Sequence, residues 1–462
     1  MYKRLQYRLR GDPNSNHCRG TILVITAIVL IALVGLLGLV IDAGQLMTGH
    51  RKTQNAADAA ATAAAMELMT GKSNSTATTA ATAFVTQYNG MPTATVRVDI
   101  PPATGPHQGN SNFIEVLVSY PVTTSFIQVV GVGSSQTVTA RAVAGYDGVT
   151  SGEGVIVLDP GVSPGLSVGG GGSLKVNGGI IVNSKGGGLD ENGAPINNGG
   201  KGYAATTSNN STLMARTIQV VGGVNTPANF QNYDPNNSLS PLRTGQMVQP
   251  DPLLYLPTPT TANGAVGISR GSVSVSGNQN VTLQPGVYSS ISISGGTTTF
   301  SPGIYILTGG GTSTLKITGG NVTGSSVMFY NTGSDYNVNT GLPDSNDRSA
   351  QPPAPGSASF GGIDINTSVN LTGYSDSTSP FDGMLFYQRR LNTQAIKITG
   401  NAGAGTLAGT VYAKWANLSI TGQGTYNAQF ITGSMAVSGN GTVTVNYAGQ
   451  NLGKGYAVFL VE

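Results

Sequence analysis

The sequence predicts a membrane-anchored α+β chain. A long N-terminal transmembrane helix leads into a small α+β domain, and a mainly-β C-terminal region follows. Three observations carry this. Thr21 to Ile41 is an uncharged apolar run, TILVITAIVLIALVGLLGLVI. The helical pattern continues beyond it, free of proline and dense in alanine, to Met69. The remainder is rich in Gly, Ser, Thr and Asn, with short alternating apolar runs between turn residues.

The apolar run spans about 30 Å at ~1.5 Å per residue, the thickness of a bilayer's hydrocarbon core. Residues 1–20 form a basic segment: Lys3, Arg4, Arg8, Arg10 and Arg19 face Asp12 alone. This excess places the N-terminus in the cytoplasm and sends the rest across, to the periplasm or the cell exterior. The run exceeds the ~7–15 residues of a secretory signal core, so a retained anchor is expected at 21–41.

Past the span, AADAAATAAAMEL covers Ala56–Leu68. Alanine has the best helix propensity, so one helix from about Thr21 to Thr70 is expected, roughly 75 Å long. Gly49 is its weak point for a kink, and Gly71 its C-cap. Small residues on most faces suit close packing, on other helices or on the chain's own domain. A second short helix is expected near 72–88. Strands follow at Thr95–Ile100, Phe113–Tyr120 and Gln136–Val143, where apolar residues alternate. The domain is drawn at 42–148, and its order of elements is pilin-like.

Charged residues make up 9% of the chain, against roughly 25% in an average protein. Residues 151–462 balance 13 basic against 13 acidic residues, which leaves no basic face for nucleic acid. Cys18 is the single cysteine, so disulfides and thiolate zinc sites are excluded. No cofactor or metal is expected.

The C-terminal region, 149–462, contains an internal repeat. Leu283-Gln284-Pro285-Gly286-Val287-Tyr288 recurs as Phe300-Ser301-Pro302-Gly303-Ile304-Tyr305. Short rungs spaced near 20 residues, with corner glycines, suit a right-handed parallel β-helix; an antiparallel β-sandwich is the alternative. Residues 185–262, with Asn/Gly runs and a proline-rich piece, are expected to be an irregular insertion.

The order Arg19-Gly20, an apolar span, Val40-Ile41-Asp42-Ala43-Gly44, then Arg51-Lys52-Thr53-Gln54-Asn55-Ala56-Ala57-Asp58-Ala59-Ala60-Ala61 resembles the N-terminal domain of TadG-like proteins. These belong to the Flp pilus (tight adherence, Tad) assembly system. In that family an Asp sits at the outer end of the span, and Gln-x-Ala-Ala-Asp-Ala-Ala follows. The resemblance implies a non-enzymatic envelope protein whose partners are the membrane and other Tad proteins. Gly20, Asp42, Gln54, Ala57, Asp58 and Ala59 are its motif and assembly residues. Gly20 also stands where type IV prepilins are cut, but the fifth residue after it is Ile25 rather than Glu, so no such processing is expected.

Two other functions fit a β-helix. One is an anchored adhesin independent of pili, contacting a surface glycan or substratum. The other is a polysaccharide-processing enzyme. For the latter the acids are sparse: Asp335, Asp344 and Asp347 form the densest group, in a faint calcium-loop pattern that departs from an EF-hand at Thr340 and Asn346. Arg389-Arg390, near Asp382 and Lys397 in sequence, is the densest cationic spot. His17, His50 and His107 all lie outside this region, removing the commonest general base. Catalytic residues are therefore expected to be absent.

Overall fold

The computed structural model describes residues 17–149, 152–197, 202–208, 210–348, 360–403, 405–447 and 449–461. The chain forms two compact units, Met1–Asp147 with Ala457–Glu462, and Gly148–Tyr456. Most of the basic segment expected at 1–20 lies outside the described residues.

In the first unit, helix α1 runs unbroken over His17–Met69, 53 residues or about 80 Å. It is apolar enough near its start to cross a membrane once. Gly71 ends it at φ +79°. There the Gly71 N–H donates to Leu68 O (2.8 Å) and the Lys72 N–H to Glu67 O (3.1 Å), which satisfies two terminal carbonyls. Helix α2, Asn74–Ala83, is capped by the Ser73 hydroxyl and runs on as a wider turn to Tyr88.

Strands β1 (Thr95–Asp99), β2 (Phe113–Thr123) and β3 (Ser135–Val149) are antiparallel, with Val98 opposite Val116 and Val118 opposite Ala140. One helix face docks on this sheet. Gly38, Asp42, Gly49, Thr53, Ala57, Ala60 and Ala64 are buried along it at steps of three to seven residues, the period of a single helical stripe. Its alanines meet Ile114, Val116, Val118, Ala140, Ala142 and Ala144. Each buried methyl is worth only ~0.8 kcal/mol, so the interface depends on close approach over many residues. Gly49 contributes to that approach and forms no kink: a Cβ there would overlap Val122.

A fourth strand, Gly455–Leu460, lies beside β3. Val461 N–H donates to Val143 O (2.9 Å), Val458 packs on the alanine core, and Phe459 meets Phe113. The boundary drawn at 149–462 is therefore corrected at its end. The last residues complete the first sheet, and the β region is inserted between two of its strands.

The second unit is built of parallel ladders. Equivalent residues of successive segments stack in register. One column is Val275, Ile293, Ile317, Ile365, Ile398 and Ile420, all buried. A second is Ile291, Leu315, Ile363, Ile396 and Leu418. An antiparallel sandwich does not have such ladders. The two Pro-Gly-x-Tyr repeats share a local device, since Tyr288 and Tyr305 each donate their hydroxyl to the carbonyl four residues upstream.

The expectation of an irregular insertion at 185–262 is corrected in part. Ala205–Thr207, Thr212–Ala215 and Thr217–Val220 pair in parallel with Leu166–Val168, Ser173–Val176 and Gly179–Val182. These runs of three or four residues are hidden among Asn and Gly, yet they bury Leu213, Ala215, Ile218 and Val220. The chain enters the stack in its middle. It builds outward from Glu153–Val157 to Leu242–Arg243, then begins again at Ser269 and returns, so that Phe430 ends opposite Val155. Residues 244–268 connect the two runs. Leu253, Leu256 and Ala265 of this strap lie in one buried cluster with Ile304, Tyr330, Tyr387 and Tyr412.

The two helix glycines separate packing from propensity. Gly49→Val should lower stability by ~1–3 kcal/mol through overpacking against Val122. Gly44→Ala meets open space and should be neutral or stabilising by ~0.5–1 kcal/mol. Thermal unfolding in detergent measures both.

Candidate functional site at the membrane end of the helix

Asp42 follows the apolar run directly, and its side chain is fully buried. Its carboxylate accepts three backbone N–H groups from one loop: Ser125 to Oδ1 (2.9 Å), and Phe126 (2.7 Å) and Ile127 (2.5 Å) to Oδ2. Ile127 opens a 3-10 turn, Ile127–Val130, whose first N–H groups have no partner within the turn. The carboxylate supplies one. Burial acts against the charge, but the three donors outweigh it and hold the Asp42 carboxyl below its ordinary value. Two roles suggest themselves from sequence for this residue, a boundary marker or a partner for a neighbour's cation. In the fold it latches a loop of its own chain.

Residues 20–67 match the family model described as putative Flp pilus-assembly TadE/G-like. This segment resembles a TadE/G-like domain. No curated protein and no solved structure gives a significant match.

Gln54, Ala57, Asp58 and Ala59 of the helix face the same sheet or flank that face. Gln54 Nε2 donates to Asp58 Oδ1 (2.7 Å), one turn on, and to Arg141 O of β3 (3.0 Å). Ala57 is fully buried on the sheet, while Asp58 and Ala59 are half-buried. Gly20 lies in the first turns of α1. Gln54 thus ties the helix to the sheet, and it also occupies the Asp58 carboxylate.

Sequence reasoning missed Glu115, a lone acid in an alternating strand. It is buried and accepts from Arg141 Nε (2.6 Å), Thr104 Oγ1 (2.9 Å) and the Ala103 N–H (2.8 Å). Burial opposes its ionisation, but these partners together lower its pKa.

In the second unit the structure joins two groups that the sequence offers separately. Arg389 lies within ion-pair distance of Asp335 (2.8 Å), Asp344 (2.8 Å) and Asp347 (2.7 Å). Tyr330 and Thr332 also donate to Asp344. Burial pushes the Asp344 carboxyl up to about 6, against the pull of Thr332, Tyr330 and Arg389. A guanidinium therefore stands where the faint calcium pattern would need a metal, and among the described residues no cluster suits a metal ion. Arg390 donates to the Tyr412 hydroxyl (3.1 Å) and to the carbonyls of Leu253 (2.8 Å) and Leu256 (2.9 Å). It clamps the strap onto the tyrosine column. Asp382 and Lys397, close to the arginines in sequence, are engaged elsewhere. Asp382 accepts from Asn451, and Lys397 stacks in an outward column with Lys316 and Asp364.

Asp42→Asn should destabilise the first unit, and the loss should depend on pH. A lowered folded-state pKa gives stabilisation that is complete above the ordinary value near 3.8 and is lost as pH falls through the folded value. The melting-temperature gap between wild type and variant should be constant from pH 7 to about 5 and close below about 4. Melts in detergent across that range check it.

Arg389→Met leaves buried carboxylates unpaired and should cost ~3–5 kcal/mol. Adding Asp344→Asn should recover part of the loss. EDTA and calcium should leave both melts unchanged.

Proposed function

We propose that this chain is a non-enzymatic, single-pass envelope protein of Flp (tight-adherence) pilus assembly. The match of its anchor to the TadE/G-like model carries the reading. The basic excess at 1–19 supports a cytoplasmic N-terminus with both folded units on the far side. The helix from 21 continues as the spine of a pilin-like domain, and its motif residues hold the sheet at a set position on that spine. The Tad machinery is the expected partner; of the motif residues Gly20, Asp42, Gln54, Ala57, Asp58 and Ala59, the buried Asp42 and Ala57 act by fixing the domain that it meets.

The inserted region we interpret as a right-handed parallel β-helix carried outward. The in-register columns, the short rungs and the strap that returns the chain to the far end support this. Its buried cations weigh against catalysis at the cluster that the sequence makes densest. Arg389, Arg390 and Lys414 are all buried and paired to acids, phenols or carbonyls, so none is free to take a substrate proton.

Adhesion has one observation in its favour. Thr282, Thr299, Thr323, Asn370 and Thr406 form an outward in-register column. A groove of about 580 Å³ runs beside it, lined by residues of this column and by Ser301, Ser325, Phe300 and Pro302. Uncharged hydroxyls and amides about 4.8 Å apart suit the hydroxyls of a neutral glycan.

Deletion of the gene should abolish Flp pili, and Asp42→Ala should reproduce the defect at normal protein level. Normal piliation with lost surface attachment would instead support adhesion without pili. Electron microscopy and an attachment assay distinguish the outcomes.

A further inference from the structure

The loop held by Asp42 has a second property. Phe126 lies directly on Gly38 of α1, where a Cβ would come within 2.5 Å of the ring. Gly38 is inside the apolar run, four residues before Asp42, or about 6 Å deep along the helix axis. The loop therefore reaches back below the level at which the span ends.

Its composition fits that depth. No charged residue occurs between Glu115 and Arg141. Phe126 is 42% exposed and Val132 is 37% exposed, although both are large and apolar. Several of the loop's polar groups are turned inward on one another or on Asp42. Asp42 accepts the N–H groups of Ser125, Phe126 and Ile127. Thr124 N–H donates to Ser134 O (2.9 Å), and its hydroxyl to Gly133 O (3.2 Å). The Gln128 amide donates to Thr124 O (2.7 Å), and Gly131 N–H to Gln128 O (3.0 Å). An unsatisfied backbone group costs several kcal/mol in hydrocarbon, and these bonds remove that cost for the N–H groups of residues 124–127 and 131.

We propose that residues 124–134 are a second membrane contact. They form an apolar wedge that inserts Phe126 and Val132 into the leaflet on the C-terminal side of the span. The occupant is lipid, at the boundary of headgroups and acyl chains. Continuity with the spanning helix argues for lipid over a protein partner, because the wedge is seated on a residue of the span itself. The latch and the wedge act together: the carboxylate that would oppose burial near the bilayer is solvated by backbone N–H groups of the segment that enters it. A single span leaves a domain free to tilt and rotate, and a second contact beside it removes much of that freedom. The proposal needs only the span and the latch, and does not rest on the pilus reading.

Single cysteines report the depth directly. The full chain carrying Cys18→Ser is made with Phe126→Cys, Val132→Cys or, as an aqueous control, Asn110→Cys. Each is labelled with NBD and placed in phosphatidylcholine nanodiscs. Quenching by iodide and by lipids carrying a doxyl group at acyl carbon 5 is then measured. Probes at 126 and 132 should be quenched several-fold less by iodide than the probe at 110, and several-fold more by doxyl lipid. Iodide access at 126 and 132 equal to that at 110 would overturn the proposal. So would shielding from iodide without doxyl quenching, which would mean that protein covers the loop. Position 132 does not pack on Gly38, so it decides the matter if a label at 126 dislodges the ring.

Discussion

A carboxylate one residue beyond an apolar span must keep its water or find donors that replace it. Asp42 takes the second course, and the arrangement of the first unit follows from that choice. Its donors are three consecutive backbone N–H groups, which fix the 124–134 loop against the helix. That loop joins β2 to β3, so the latch also sets where the sheet meets the helix. Gly38 and Gly49 lie on either side of Asp42 on the same face, each pressed by a side chain of this segment, Phe126 and Val122. One acid and two glycines thus decide the height at which the sheet sits on the spine. The alanine seam above them then needs only small residues at a helical period.

Much of this was legible in the sequence, for a physical reason. Helix propensity, span length and the Gly71 cap are local properties, and α1 ends where its glycine allows a left-handed turn. Asp42 could be singled out by position, but its partners could not, because they lie more than eighty residues away and are backbone groups without a side-chain signature. Glu115 was invisible for a similar cause. An acid in an alternating strand looks solvent-facing until Arg141 and the 103–104 backbone are brought to it.

The β region shows the opposite balance. Its columns were expected from the repeat, since inward apolar residues recur. Its path was not. Segments of three residues such as Ala205–Thr207 carry too little pattern to distinguish from loop, so a regular part of the ladder reads as insertion in the sequence. The strap was hidden because a chain that enters a stack in the middle must cross its outer face to reach the other end, and nothing local announces that. The charged residues reveal it afterwards. Arg390 is buried because it holds the carbonyls of Leu253 and Leu256, which have no ladder to join. Arg389 is buried because the 332–348 loop brings three acids to it. A sparsely charged region spends its few charges on closing loops, and this is why its densest cluster resembles an active site in sequence and is a set of clasps in the fold.

Insertion has a topological consequence that appending would not. The final strand must return to pair with β3, so the inserted region must bring its exit back to its entry. It does so within its own ladder, where Phe430 lies opposite Val155 and Gln429 donates to the Glu153 carbonyl (2.7 Å), and closing the loop then costs little further conformational entropy. The sheet of the first unit is likewise complete only once residue 455 and those after it have been made, because the final strand supplies its fourth member. A chain truncated anywhere in the β region would lose that strand, leaving Phe113 without Phe459 and the edge of β3 open.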